Sequence, residues 1–367
     1  MGFFPNIRAW WALALGAVLA LPVAASAVEG ERAGGPVVAG YVETIHGAAT
    51  VANLDLGPVT HVIDAFVLPD REGRLRPVNG LPRTELIGRC HREGRLVLVS
   101  VGGGTVPGKV FASIAANEHR LERFATEIVR FASEAQYDGL DIDWEFPESD
   151  QRALYVKLIA AVRNEMIAVR WQTHRGEPAL LCCGVSTGYW LSGYDFGALA
   201  PLVDFAIYFG YDFRNPALGP WSHYEMMWPQ GADAPIEASV SGVVAEIARR
   251  GFHPQKILVG LPFYTSQGRP WANARTTAGL DAAFLHPVYL EKKVGAEWIT
   301  DAEAMAAKVR MALSGTVAAG RPVGGIAIWQ LGHQGKNKEL TDAIAREIRA
   351  NSSASGGLTS FSKEVRP

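Results

Sequence analysis

Eight short apolar runs, separated by helix-patterned spacers, constrain this 367-residue chain more than any other feature. They are VVAGYVE (37–43), HVIDAFVL (61–68), RLVLVSVGGG (95–104), DGLDIDWEF (138–146), ALLCCGVST (179–187), VDFAIYFGYD (203–212), KILVGLPFYT (256–265) and GGIAIWQL (324–331). Near-continuous apolar runs are the signature of parallel strands buried on both faces. Between them, Leu121, Phe124, Ile128 and Phe131 fall on one helical face. Leu154, Leu158, Val162 and Met166 do the same, as do Leu340, Ile344 and Ile348. Eight strands alternating with helices predict a single α/β domain, a (β/α)8 barrel. A doubly wound open sheet is the alternative, but no G-x-G-x-x-G opens a helix after the first strand.

The ends read differently. Arg8 precedes the apolar stretch AWWALALGAVLALPVA (9–24), and Ala25-Ser26-Ala27 fits a small-residue cleavage site. This predicts a signal peptide over 1–27, cut after Ala27, and a secreted or periplasmic protein without stable membrane insertion after cleavage. An uncleaved N-terminal anchor is the rival. The barrel is expected over 28–350, and the Ser/Gly-rich segment 351–367 as a disordered tail. Residues 266–300 lack periodicity and are expected to be an enlarged loop after the seventh strand.

A formal net charge of −2 argues against general nucleic-acid binding. The three cysteines are Cys90, Cys182 and Cys183. Adjacent strand residues face opposite ways, so Cys182 and Cys183 are not expected to pair. Buried free thiols are expected, with one bridge to Cys90 left open. Neither C-x-x-C nor H-E-x-x-H occurs, and no metal or other cofactor is expected.

The fourth run carries the chemistry. Asp138, Asp141, Asp143 and Glu145 lie within eight positions of it. By strand alternation Asp141, Asp143 and Glu145 point inward, with Glu145 outermost at the C-terminal rim, where barrel active sites lie. Leu140, Ile142 and Trp144 point toward the helices. Asp138 has the other parity and is expected to tie down backbone or a neighbouring strand. Three stacked carboxyls cannot all ionise cheaply, so the row shares protons and Glu145 can serve as an acid near neutral pH. Such an acid suits protonation of a glycosidic leaving group. A divalent-metal site for Mg²⁺ or Ca²⁺ is the second functional reading of alternating acids.

DGLDIDWEFP matches in all four acids the D-x-x-D-x-D-x-E signature of glycoside hydrolase family 18, the chitinase family. The resemblance extends to SVGG (100–103), FGYDF (209–213), KILVGLPFY (256–264) and GGIAIWQL (324–331), and covers roughly 37–350. It implies Glu145 as general acid and then base, with the substrate's own N-acetyl carbonyl as nucleophile and retention of configuration. It implies that Asp143 orients the acetamido group, that Asp141 exchanges a proton with Asp143, and that Tyr211 hydrogen-bonds the acetamido oxygen. Asp212 would hold the sugar and Trp329 would form the floor beneath it. Tyr41, Phe66 and Ser100 would support the acid row.

The pattern departs from the family at Phe209, where a Met is usual, and the segment after strand seven is shorter than the family's full α+β insertion, which implies a shallower groove. The implied partner is an N-acetylglucosamine-containing polysaccharide or oligosaccharide, and a monomer is expected. The leading activity is cleavage of β-1,4-linked N-acetylglucosamine polymers. Action on peptidoglycan or N-glycans is the alternative within that chemistry. A non-catalytic chitin lectin is the alternative of another class, although such proteins typically lose the terminal Glu retained here as Glu145. Trp190, Trp221, Trp228 and Trp271 are candidates to lengthen the groove.

Overall fold

The computed structural model describes residues 35–358, apart from 44–50, 77–79, 187, 213–239, 287–289, 316–317 and 319. The expected signal peptide, Trp221, Trp228 and the end of the tail lie outside the described residues.

The eight apolar runs are the eight strands of a closed parallel barrel: β1 (Val37–Glu43), β2 (His61–Pro69), β3 (Leu96–Gly102), β4 (Gly139–Asp143), β5 (Leu180–Val185), β6 (Phe205–Tyr208), β7 (Ile257–Pro262) and β8 (Gly325–Trp329). Each pairs in parallel with the next, and β1 pairs with both β8 and β2, which closes the ring. Strand β4 sits in register with β3 (Ser100 opposite Asp141, Gly102 opposite Asp143) and with β5 (Asp141 opposite Cys182).

Two apolar cores follow from strand alternation. Inside the barrel, Ala39, Tyr41, Ile63, Leu98, Cys182, Ile207 and Leu258 pack together. Outside, Leu140, Ile142 and Trp144 of the acidic run meet the helices. Helices α1 (Thr84–Arg92), α2 (Gly108–Ala115), α3 (Glu118–Glu134) and α4 (Arg152–Ala168) cover this half of the barrel. Leu121, Phe124 and Ile128 of α3, and Leu158, Val162 and Met166 of α4, are buried as their spacing requires. Cys182 faces the interior core and Cys183 the outer one. All three cysteines are free and buried.

Short helix α5 (Phe196–Leu199) and helix α6 (Val240–Arg249) follow β5 and β6. The segment after β7 is more than a loop. It carries the short helix α7 (Trp271–Ala274) and an antiparallel pair, Lys292–Val294 with Glu297–Ile299, before α8 (Ala302–Leu313). Trp271 is 3% exposed within the outer core, so it does not line a groove. The last helix, α9 (Glu339–Leu358), runs past residue 350, where composition suggested that order ends. Ser352 and Ser353 donate their hydroxyls to the carbonyls of Ile348 and Arg349, four residues back, a bond that lets serine sit inside a helix. Among the described residues no helix is long and apolar enough to cross a membrane.

Candidate active site

Strand β4 places its acids as alternation requires. Asp141 is fully buried, Asp143 is 2% exposed, and Glu145, two residues past the strand end, is partly exposed at the C-terminal rim. One oxygen of Asp141, Oδ2, accepts from Tyr41 Oη at 3.0 Å and from Ser100 Oγ at 2.7 Å. Among the described residues the other, Oδ1, has no hydrogen-bond partner, and neither does Oδ1 of Asp143. A charge on a buried oxygen without a donor is costly, so these positions favour a retained proton. Asp143 is hydrogen-bonded to Glu145, which also accepts from the Gly104 amide.

The electrostatics follow from that packing. Burial pushes Asp141 up to about 6, against the hydrogen bonds from Ser100 and Tyr41. Burial raises Asp143 well above the carboxylate range, helped by the charges of Glu145 and Asp141. Glu145 is pushed up to about 7, first by burial and then by the charges of Asp212 and Asp141, while the bonds from Asp143 and Gly104 oppose the shift. The row therefore does not carry three charges at neutral pH.

Glycines let the walls close on these acids. At Gly102 (φ 122°) a Cβ would lie 2.0 Å from the Asp143 carbonyl oxygen, and at Gly184 it would lie 2.8 Å from Asp143 Oδ1. Gly102 of SVGG is thus required by close approach and by its positive φ, not only by a turn.

Aromatic side chains surround the rim. Trp329, partly exposed at the end of β8, stacks on Phe66 with centroids 5.8 Å apart and meets Tyr41 at 5.3 Å. Tyr211 stacks on Phe209 at 5.7 Å and meets Tyr264 edge-on at 6.0 Å. Burial raises the Tyr211 hydroxyl well above its ordinary value, and the charges of Asp212, Asp143, Glu145 and Asp141 act in the same direction, so it lies within electrostatic reach of the row. Asp212 is exposed and accepts from Tyr264 Oη at 3.0 Å. Phe146 meets Phe209 at 6.0 Å and Trp190 at 5.7 Å. Tyr264 and Phe146 were not singled out from the sequence. Tyr264 closes the quoted stretch KILVGLPFY and Phe146 lies within DGLDIDWEFP, so membership of those motifs was the available signal.

The structure thus brings Asp141, Asp143, Glu145, Tyr211, Asp212, Trp329, Tyr41, Phe66 and Ser100 to one end of the barrel. It does not bring Asp138 there. Asp138 sits at the opposite end of β4, where its Oδ2 accepts from the Val97 amide of β3 at 2.8 Å. That is the expected tie to a neighbouring strand.

Comparison with known proteins agrees with this fold. A sequence profile described as "Glycosyl hydrolases family 18" matches residues 37–334. An endochitinase of Brugia malayi is 26% identical over 246 residues, which is 62% of this chain and 47% of that protein. The chain therefore spans about half the length of this relative. Among solved structures, a Group IV chitinase of Ostrinia furnacalis in complex with allosamidin superposes with a TM-score of 0.70 at 18% identity, covering 86% of this chain and 99% of that one. A chitinase-like agglutinin from Robinia pseudoacacia superposes with a TM-score of 0.69 at 21% identity, covering 84% and 99%. At these identities the structural likeness speaks for the barrel.

Proposed function

The chain belongs to glycosyl hydrolase family 18, and from that premise we propose that it is a secreted enzyme that cleaves β-1,4-linked N-acetylglucosamine polymers with retention, using the substrate's acetamido group as nucleophile. The observation that carries the reading is the buried, proton-sharing row of Asp141, Asp143 and Glu145, of which only Glu145 reaches the rim. A retaining enzyme with two working carboxylates needs the second one at the anomeric carbon. Asp143 is buried beneath Glu145 and hydrogen-bonded to it, which suits proton exchange better than attack on a sugar.

In this mechanism Glu145 protonates the glycosidic oxygen. Its value of about 7 keeps a substantial protonated fraction near neutral pH. The acetamido carbonyl closes on the anomeric carbon and gives an oxazolinium intermediate. Tyr211 and Asp143 hold that carbonyl and its N–H in the attacking orientation, which is where positioning contributes most. Asp143 stabilises the developing positive charge, while Asp141 takes up proton density within the row, held by Tyr41 and Ser100. Trp329 covers the apolar face of the reacting sugar, backed by Phe66. Asp212 binds a polar group of the substrate. Glu145, now a base, activates the water that opens the intermediate. The apolar N-terminal stretch with its small-residue cleavage site supports export.

A second reading, a chitin lectin, draws on the agglutinin among the structural neighbours. The test is hydrolysis of chromogenic chitobiosides and chitotriosides by the mature chain beside Glu145→Gln. Cleavage that falls at least a thousandfold in the variant supports the enzyme. Binding of chitooligosaccharides without cleavage by either protein supports the lectin. Neither cleavage nor binding redirects the search to peptidoglycan and N-glycans.

A further inference from the structure

At the end of the barrel opposite the acid row, Asp138 is the centre of a cluster the glycosidase reading leaves unused. Its carboxylate is fully buried and fixed by two backbone amides, Val97 N–H to Oδ2 at 2.8 Å and His174 N–H to Oδ1 at 2.7 Å. Each oxygen also meets an imidazole nitrogen: His91 Nε2 lies 3.0 Å from Oδ2 and His174 Nδ1 lies 2.8 Å from Oδ1. The three donor atoms lie within 4.8 Å of one another. They come from three places, the last turn of α1, the residue before β4 and the turn leading into β5. No local spacing would reveal them.

We propose that His91, Asp138 and His174 bind one divalent transition-metal cation of the zinc class. Two imidazole nitrogens and one carboxylate oxygen are a donor set for zinc or its neighbours and a poor one for Ca²⁺ or Mg²⁺, which prefer oxygen throughout. The two amides on Asp138 do what outer hydrogen bonds do at metal sites: they fix the carboxylate and orient its free lone pairs. His91 stands at the carbonyl end of α1, where the helix dipole favours positive charge. The His91 and His174 side chains are 21% and 22% exposed, so an ion can enter and water can complete its shell.

The rings now stack, 4.0 Å between centroids and 25° between planes. Four ligands at roughly 2.0–2.2 Å from zinc stand about 3.4 Å apart. Binding therefore requires the rings to splay until both lone pairs meet, and it displaces the protons they share with Asp138. Their partial exposure leaves room for this. The ion would clamp α1, β4 and the turn before β5 together and would contribute stability, not chemistry.

The test uses the full chain, stripped with a chelator and returned to metal-free buffer. Zn²⁺ is titrated calorimetrically into the wild type and into the double variant His91→Ala/His174→Ala, whose fold is checked by circular dichroism. Co²⁺ replaces Zn²⁺ for visible spectroscopy of the wild type. The expected result is one ion per chain at micromolar affinity or better. Affinity should fall at least a hundredfold in the double variant, and Tm should rise with Zn²⁺ in the wild type only. Bound cobalt should show the intense visible bands of a four- or five-coordinate ion. Equal binding by a folded double variant, no binding by the wild type, or only the weak spectrum of hexaaqua cobalt would overturn the proposal. The cobalt measurement decides the matter even if the variant fails to fold. Chitinolytic activity, measured in parallel, should not change on removing the ion.

Discussion

Replacing Asp141 with Asn tests the energetics of the acid row most fully. Asp141 is completely buried, and its carboxyl titrates at about 6 instead of 3.8, mainly because burial penalises its charge. The folded state therefore holds this proton where the unfolded state has released it. Stability contributed by the neutral group is present below pH 4 and is lost as pH rises through about 6. The interval from 3.8 to about 6 corresponds to about 3 kcal/mol above pH 7. Asn keeps an oxygen for Tyr41 Oη and Ser100 Oγ, removes the charge, and places an amide where Oδ1 now has no partner. Asp141→Asn should thus raise Tm at pH 8 by about 5 °C and leave it nearly unchanged at pH 4. Scanning calorimetry at the two pH values measures this. Removing the Asp141 charge also removes one cause of the raised Glu145, so the alkaline limb of kcat/KM should move to lower pH. A Tm change of equal size at both pH values, or a larger gain at pH 4, would refute the reasoning.

Tyr211→Phe should lower kcat by about 10–100-fold with little change in Tm, because it removes one hydroxyl that orients the acetamido group. Trp329→Ala should raise KM by roughly tenfold or more and expose Phe66, seen as weaker binding of chitooligosaccharides in calorimetry. Lys308 and Glu291 form a fully buried pair at 3.0 Å, with Thr300 also on the ammonium. Lys308→Ala should cost about 3–5 kcal/mol in denaturant unfolding, since it strands the Glu291 charge.

The fold was legible because strands buried on both faces cannot hide among polar residues. All eight runs became barrel strands, and the period of two placed Leu140, Ile142 and Trp144 outside and the acids inside. Tyr41 and Ser100 were named as neighbours of the row, and both donate to Asp141. What escaped the sequence depends on distance along the chain or on packing. His91 lies 47 residues from Asp138 and His174 lies 36, so nothing local links them. Trp271 was offered to the groove because Trp often stacks on sugars, yet it is buried in the core. The last helix was read from Leu340, Ile344 and Ile348, but its run past residue 350 was missed because Ser and Gly suggest disorder, while serine hydroxyls can bond back to the helix.

In the proposed mechanism one carboxyl and the substrate's own amide replace two carboxylates. It is tested most directly by proton NMR of the first product formed from chitotetraose, beside the same substrate lacking the acetyl group at the cleaved residue. The first product should be the β-anomer, and the free-amine substrate should not be turned over. An α-anomer, or comparable cleavage of the deacetylated substrate, would contradict it.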